Sequence, residues 1–318
     1  MSDRVLQCFC IAASRIAMKK LIIFLVLLLL SPTTVLAQKS TSAGAAHQQC
    51  PLVQDGVFRS SSLGRDVHYR VLMPGGCDKG ERLPVLYLLH GIYGDYKNWD
   101  TKTRLETYAK DLRMIIVMPD GDDSWYTNSA TVPADKFEDY VATDLISEID
   151  KKFKTIRDRH GRAIAGLSMG GYGAVKLALK YPELFVFSGS LSGAFNAAQN
   201  LDTLRPDFRA RLLEVFGSEG SRARTENDVF TLLNAPHTSP YPYFYLACGS
   251  ADFFLDTNRA FAQQLSSKNL PYEYHETPGG HTWEYWDSAV QPLLKAVDFA
   301  FGNHPVSLHM PVSKTASH

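Results

Sequence analysis

The sequence predicts an α/β protein built on a mostly parallel, doubly wound sheet, with helices on both faces and a small helical insertion. Three observations predict it. Short continuous apolar runs stand at 85–89 and 114–118, and a third leads on from 162–165 at Gly166, the pattern of strands covered on both faces; further strand-like units follow at 186–191, 243–247 and 272–276. Segments with helical periodicity at 105–112, 140–153, 172–180, 257–268 and 288–301 alternate with them, and strand alternating with helix is how a parallel sheet is connected. The interval 196–240 breaks that rhythm, being polar, with helical pieces at 208–216 and 226–233 and no clear strand. It reads as a cap-like insertion, either a substrate-shaping surface or a passive excursion. Ligands of such sheets bind at the carboxyl ends of the strands, so the residues just after each apolar run are where function is sought.

Ahead of the first strand, residues 1–37 read as an export signal. Lys19 and Lys20 precede an apolar run at 21–30, then Ser31-Pro32 and the small-residue site Val35-Leu36-Ala37 before Gln38. A membrane-spanning helix needs about 20 apolar residues, and this run is too short. Cleavage after Ala37 is therefore expected, leaving no stable membrane anchor and a secreted or periplasmic protein. Met18 stands directly before the lysines, so 1–17 is expected to be an extension ahead of the true start. Residues 38–50 are rich in Ser, Ala and Gln with no apolar period, a flexible linker. The tail at 302–318 has little to pack and is expected to be disordered.

The catalytic domain spans 51–301 and opens on a hairpin, strands at 53–60 and 67–73 around Leu63-Gly64-Arg65. Loss of the leader removes Cys8 and Cys10 and leaves Cys50, Cys77 and Cys248 in a compartment where disulfides persist. Cys50 and Cys77 flank the open end of the hairpin and are expected to pair. Cys248 ends an apolar strand and reads as a buried, inert thiol. The 318 residues are 45% hydrophobic and 21% charged, enough apolar mass for a full core. Lys+Arg and Asp+Glu both number 33, so no basic stripe offers nucleic acid a footprint. A small neutral substrate fits this balance better than a polyelectrolyte.

Gly166-Leu167-Ser168-Met169-Gly170 is a G-x-S-x-G motif set between an apolar strand and a helix. Its glycines let the chain turn sharply around a serine on a strained bend, exposing the hydroxyl above the sheet. A serine hydroxyl is a poor nucleophile at neutral pH and needs a base whose tautomer a carboxylate fixes. In this architecture the chain order is serine, acid, histidine. His281, in Gly279-Gly280-His281-Thr282-Trp283, follows the strand at 272–276 and is the candidate base. The other downstream histidines are weaker: His237 lies in the insertion, His275 within a strand, and His304, His309 and His318 in the tail. Asp252 follows the strand at 243–247 and is the candidate acid, whereas Asp256, beside the helix at 257–268, is more simply an N-cap. The developing oxyanion needs two donors, and the backbone N–H groups of Met169 and Ile92 are placed to supply them. His90, at the end of a buried strand, reads as a structural hydrogen-bonding residue with no partner at metal-ligand spacing. No metal or cofactor is expected.

These motifs together resemble an esterase family of the α/β-hydrolases that includes esterase D (S-formylglutathione hydrolase), tributyrin esterases, feruloyl esterase domains and the antigen 85 mycolyltransferases. The likeness covers about 67–299 and rests on Leu88-Leu89-His90-Gly91 with Asn98-Trp99, Met118-Pro119-Asp120-Gly121 with Ser124-Trp125-Tyr126, the Ser168 motif, Asp252-Phe253-Phe254 and the His281 segment. It implies the α/β-hydrolase fold, a Ser168–Asp252–His281 triad and an oxyanion hole from Ile92 and Met169. It also points to Trp125, Tyr126 and Trp283 as pocket lining, although large aromatics at strand ends serve equally as core packing. The activity so implied is hydrolysis of a small carboxylic ester through an acyl-enzyme. Acyl transfer to a sugar or lipid alcohol is the nearest alternative, and an S-formylglutathione thioesterase is disfavoured by the exported leader. A non-catalytic binding module is remote, since every triad element is present.

Overall fold

β1 (Val53–Ser60) and β2 (Arg65–Leu72) form the opening hairpin, in register from Val53 opposite Leu72 to Ser60 opposite Arg65. The computed structural model describes residues 52–75, 80–199, 201, 205–236 and 239–303. The expected signal segment, the linker, both members of the Cys50–Cys77 pair and the tail from 304 onward lie outside these residues.

The strand-like segments become β3 (Val85–Leu89), β4 (Ile115–Pro119), β5 (Arg162–Leu167), β6 (Phe187–Leu191), β7 (Tyr243–Gly249) and β8 (Tyr272–Thr277). They lie in the order β1-β2-β4-β3-β5-β6-β7-β8. β2 pairs with β4 antiparallel, and from β4 through β8 every pairing is parallel. The helices are α1 (Asn98–Lys102), α2 (Leu105–Ala109), α3 (Phe137–Asp139), α4 (Ile146–Lys152), α5 (Met169–Lys180), α6 (Pro206–Phe216), α7 (Arg222–Thr225), α8 (Val229–Asn234), α9 (Leu255–Ser267) and α10 (Trp283–Ala300). A π-helical turn, Tyr140–Leu145, joins α3 to α4.

Side chains alternate across a strand, and the two faces of β3 meet two different cores. Val85, Tyr87 and Leu89 pack with Ile149 of α4, Val175 of α5 and Phe261 of α9. Leu86 and Leu88 pack with Leu105 of α2 and Leu293 of α10. This explains why β3 and β4 carry no charged side chain along their length, whereas the edge strand β8 (Tyr272–Thr277) carries Glu273, His275 and Glu276. β3 lies between β4 and β5, so the strand order reverses there, and a crevice opens at the carboxyl ends of β3 and β5. Those two ends carry His90 and Ser168.

Two boundary differences bear on the site. The last helix begins at Trp283 instead of 288, because the aromatic Trp283, Tyr285 and Trp286 form its first turn. α9 begins at Leu255, so Asp256 lies inside its first turn and does not cap it. The described part of 196–240 consists of α6, α7 and α8, which bury Phe216, Val229 and Leu233 in the core shared with α5. Among the described residues no helix is long and apolar enough to cross a membrane.

Candidate active site

Ser168 sits between β5 and α5 at φ 52 and ψ −116, a conformation unusual for a residue with a Cβ. Close packing imposes it. A Cβ on Gly170 would stand 2.5 Å from the carbonyl oxygens of Leu89 and His90, and one on Gly166 would meet the Gly170 backbone at the same distance. Only glycine at both positions lets the start of α5 press against the end of β3 while the serine stays on the bend. The Ser168 N–H donates to the Leu191 carbonyl at 2.9 Å, and the Ser168 carbonyl accepts from Tyr172 and Ala194.

The three candidate triad residues come together from three strand ends. His281 Nε2 lies 2.9 Å from Ser168 Oγ, and His281 Nδ1 lies 3.0 Å from Asp252 Oδ2. Asp252 Oδ1 also accepts from the Phe254 N–H at 2.8 Å. Burial pushes the Asp252 carboxyl up, but hydrogen bonds from His281 and Phe254 hold it below the usual carboxylate range. It stays ionised and so keeps the proton of a neutral His281 on Nδ1, leaving Nε2 as an acceptor facing the serine. Rings on two sides fix the imidazole: Trp286 meets it edge-on at 4.8 Å and Phe253 lies 4.4 Å away. Asp256 is far more exposed, with 98% of its side chain accessible, and pairs only loosely with Arg259.

A cleft of about 480 Å³ opens over Ser168 and His281, lined also by Ile92, Lys102, Trp283 and Trp286. A Cβ on Gly91 would lie 3.5 Å from Ser168 Cβ, so the Gly91–Ile92 peptide borders the serine. Met169 is the first residue of α5, where a helix N–H has no partner within its own helix. Trp283 borders the cleft and rests edge-on against Trp99 at 5.7 Å.

Trp125 and Tyr126 do not line the cleft. Trp125 packs edge-on against Tyr172 and Phe216 at 5.8 and 5.9 Å. Tyr126 is wholly buried, its ring in a slot that exists because Gly121 and Gly173 have no side chains. No described residue of 196–240 lines the cleft either. Lys102, Phe253 and Trp286 are the neighbours of the site that sequence reasoning missed. Trp286 lies three residues after Trp283 on the same side of α10, a pairing not legible in the sequence because the helix start was not.

Among the described residues no group of three or more His, Cys, Asp or Glu is arranged to hold a metal ion. Cys248 is buried under the site, and burial pushes its thiol up to about 12. An ionised, reactive thiolate is thereby disfavoured there.

Comparison with known proteins finds esterases and serine hydrolases. The sequence pattern of the family described as "Putative esterase" matches residues 60–296. An acetyl esterase of Caldicellulosiruptor saccharolyticus is 29% identical over 218 residues, 66% of this chain and 81% of that protein. Esterase Rv1288 of Mycobacterium tuberculosis is 31% identical over 251 residues, 71% of this chain but only 55% of its own length. Among solved structures, the fluorophosphonate-binding serine hydrolase FphF of Staphylococcus aureus superposes with a TM-score of 0.70 at 28% identity, covering 77% of this chain and 98% of that one.

Proposed function

The chain belongs to the esterase family whose pattern it matches over 60–296, and from that premise we propose that it is an exported serine hydrolase cleaving a small carboxylic ester through an acyl-enzyme. The observation that carries this reading is the continuous chain from Ser168 Oγ to His281 at 2.9 Å and on to Asp252 at 3.0 Å. Ser168 Oγ attacks the ester carbonyl as His281 Nε2 takes its proton. The carbonyl oxygen, now negative, accepts from the Ile92 and Met169 N–H groups. The carbonyl re-forms, the bond to the alcohol oxygen breaks, and His281 gives its proton to the departing alkoxide. Water then repeats the sequence on the acyl-enzyme, releasing the acid and Ser168. Export is supported by the Lys19-Lys20 and apolar-run layout of 1–37.

The test is turnover of p-nitrophenyl esters from acetate to decanoate, with a ferulate ester, by the chain beginning at Gln38. Ser168→Ala is expected to lower kcat by at least about 10³-fold with folding intact. Unchanged turnover in that variant overturns the proposal. An added acceptor alcohol reads whether the acyl group goes to water or to a second alcohol.

A further inference from the structure

We propose that Lys176, a buried lysine on α5 remote from the reacting atoms, is a positioning residue for the oxyanion donor at Ile92, acting through Tyr126 and His90. This rests on the serine-hydrolase reading above. Lys176 is fully buried, and its ammonium donates to the Tyr126 carbonyl at 2.6 Å, to Thr127 Oγ1 at 2.8 Å and to Glu138 Oε2 at 2.8 Å. An ammonium has three protons, so all of them are used. Burying such an ion pair costs more than an apolar pair of the same volume would.

The backbone it grips is strained, with Trp125 at φ 57 and Tyr126 at φ 52, and such conformations persist only where surrounding bonds over-determine them. From there the contacts run directly to the oxyanion loop. Tyr126 Oη donates to the His90 carbonyl at 3.0 Å. The Gly121 N–H donates to His90 Nε2 at 2.9 Å, which leaves the ring proton on Nδ1, and Nδ1 donates to the Gly91 carbonyl at 2.7 Å. The Gly91 carbonyl and the Ile92 N–H belong to one planar peptide and point in opposite directions. Fixing the carbonyl therefore fixes the direction of the donor. Lys176 holds Tyr126, Tyr126 holds the His90 end of the loop, and the His90 ring holds the peptide plane.

The distinguishing experiment compares an ester with its thionoester, in which sulfur replaces the carbonyl oxygen. Sulfur is the larger and weaker acceptor, so a well-aimed hole favours the oxygen substrate. Lys176→Met combined with Glu138→Gln removes both charges at nearly constant volume, and Tyr126→Phe removes only the bond to the His90 carbonyl. Both variants are expected to fold, to keep KM within about twofold, and to lose about tenfold in the oxo-to-thiono ratio of kcat/KM, a fraction of what deleting a whole donor costs. A merely structural role lowers both substrates together and leaves the ratio fixed. Should the double variant fail to fold, the Tyr126→Phe ratio decides alone. An unchanged ratio in folded enzyme overturns the proposal while the serine reading stands. Full turnover by Ser168→Ala overturns both.

Discussion

At Ser168 the backbone conformation costs roughly 1–3 kcal/mol for a residue with a Cβ, and the chain accepts that cost in order to hold a hydroxyl where glycine alone would be relaxed. The three hydrogen bonds of its own peptide groups keep it there. Asp252 shows the same logic in its charge. Its side chain is fully covered, yet His281 and the Phe254 N–H together keep it ionised. Asp252→Asn keeps the shape but offers an amide that can donate to Nδ1, which favours the tautomer that presents a proton to Ser168. The expected loss in kcat is about 10⁴-fold. Asp256→Asn changes an exposed carboxylate beside Arg259 and is expected to leave kcat within about twofold, as surface changes do. Steady-state turnover of p-nitrophenyl acetate by the two variants checks the choice of acid. The reverse pattern would transfer the role to Asp256.

At the scale of elements, the junction of β5, Ser168 and α5 depends on how closely α5 approaches β3. Gly170→Ala places a Cβ against two backbone oxygens that cannot swing aside, so helix and strand must part. Overpacking of this kind costs about 1–3 kcal/mol, and here it also moves the serine relative to Ile92. The variant is expected to melt several degrees lower and to lose most of its turnover, as thermal denaturation and the ester assay would record; unaltered activity would show the junction to be compliant. The same elements mark what the sequence revealed. β3 was legible from end to end because a strand buried on both faces has no polar interruption, and the G-x-S-x-G spacing located the bend because only glycine fits at Gly166 and Gly170. The start of α10 was not legible, since Trp283 and Trp286 line the cleft while Tyr285 between them packs in the core, which blurs the helical period. Nor was the π-helical turn at Tyr140–Leu145, whose apolar residues are spaced as in an ordinary helix. The resemblance left Trp125 and Tyr126 open between pocket lining and core packing; the structure puts both in the core, at positive φ, with Tyr126 in a slot that depends on Gly121 and on the sequence-distant Gly173, which no local pattern records.

At the scale of the whole molecule, Glu138 ties α3 to α5 and to the 126–127 segment through Lys176 and to the surface through Lys180, at 2.8 and 2.5 Å. Burial pushes its carboxyl up, but Lys176 and Lys180, by charge and by hydrogen bonds, pull it down to about 2 from an ordinary 4.5. A carboxyl with a lowered pKa in the folded state contributes stability that is complete above its unfolded value and is lost as pH falls toward the folded one. The window for Glu138 is therefore about pH 4.5 down to about pH 2. At pH 7 Glu138→Gln leaves two lysines without their carboxylate and is expected to be destabilised by about 3 kcal/mol, the range for breaking a buried pair. At pH 3 most unfolded-state glutamates are protonated, so the wild type has already lost much of this contribution, whereas the variant has none to lose. The gap between them is expected to narrow by about 2 kcal/mol from pH 7 to pH 3, measured by urea unfolding at each pH. Both proteins become less stable in acid, because Asp252, Asp144 and Asp120 are also held below the ordinary aspartate value, so the difference between the curves is the quantity that reports Glu138. A constant gap would mean that the carboxyl titrates alike folded and unfolded, and that α3 and α5 are held together by their apolar contacts instead of by this pair.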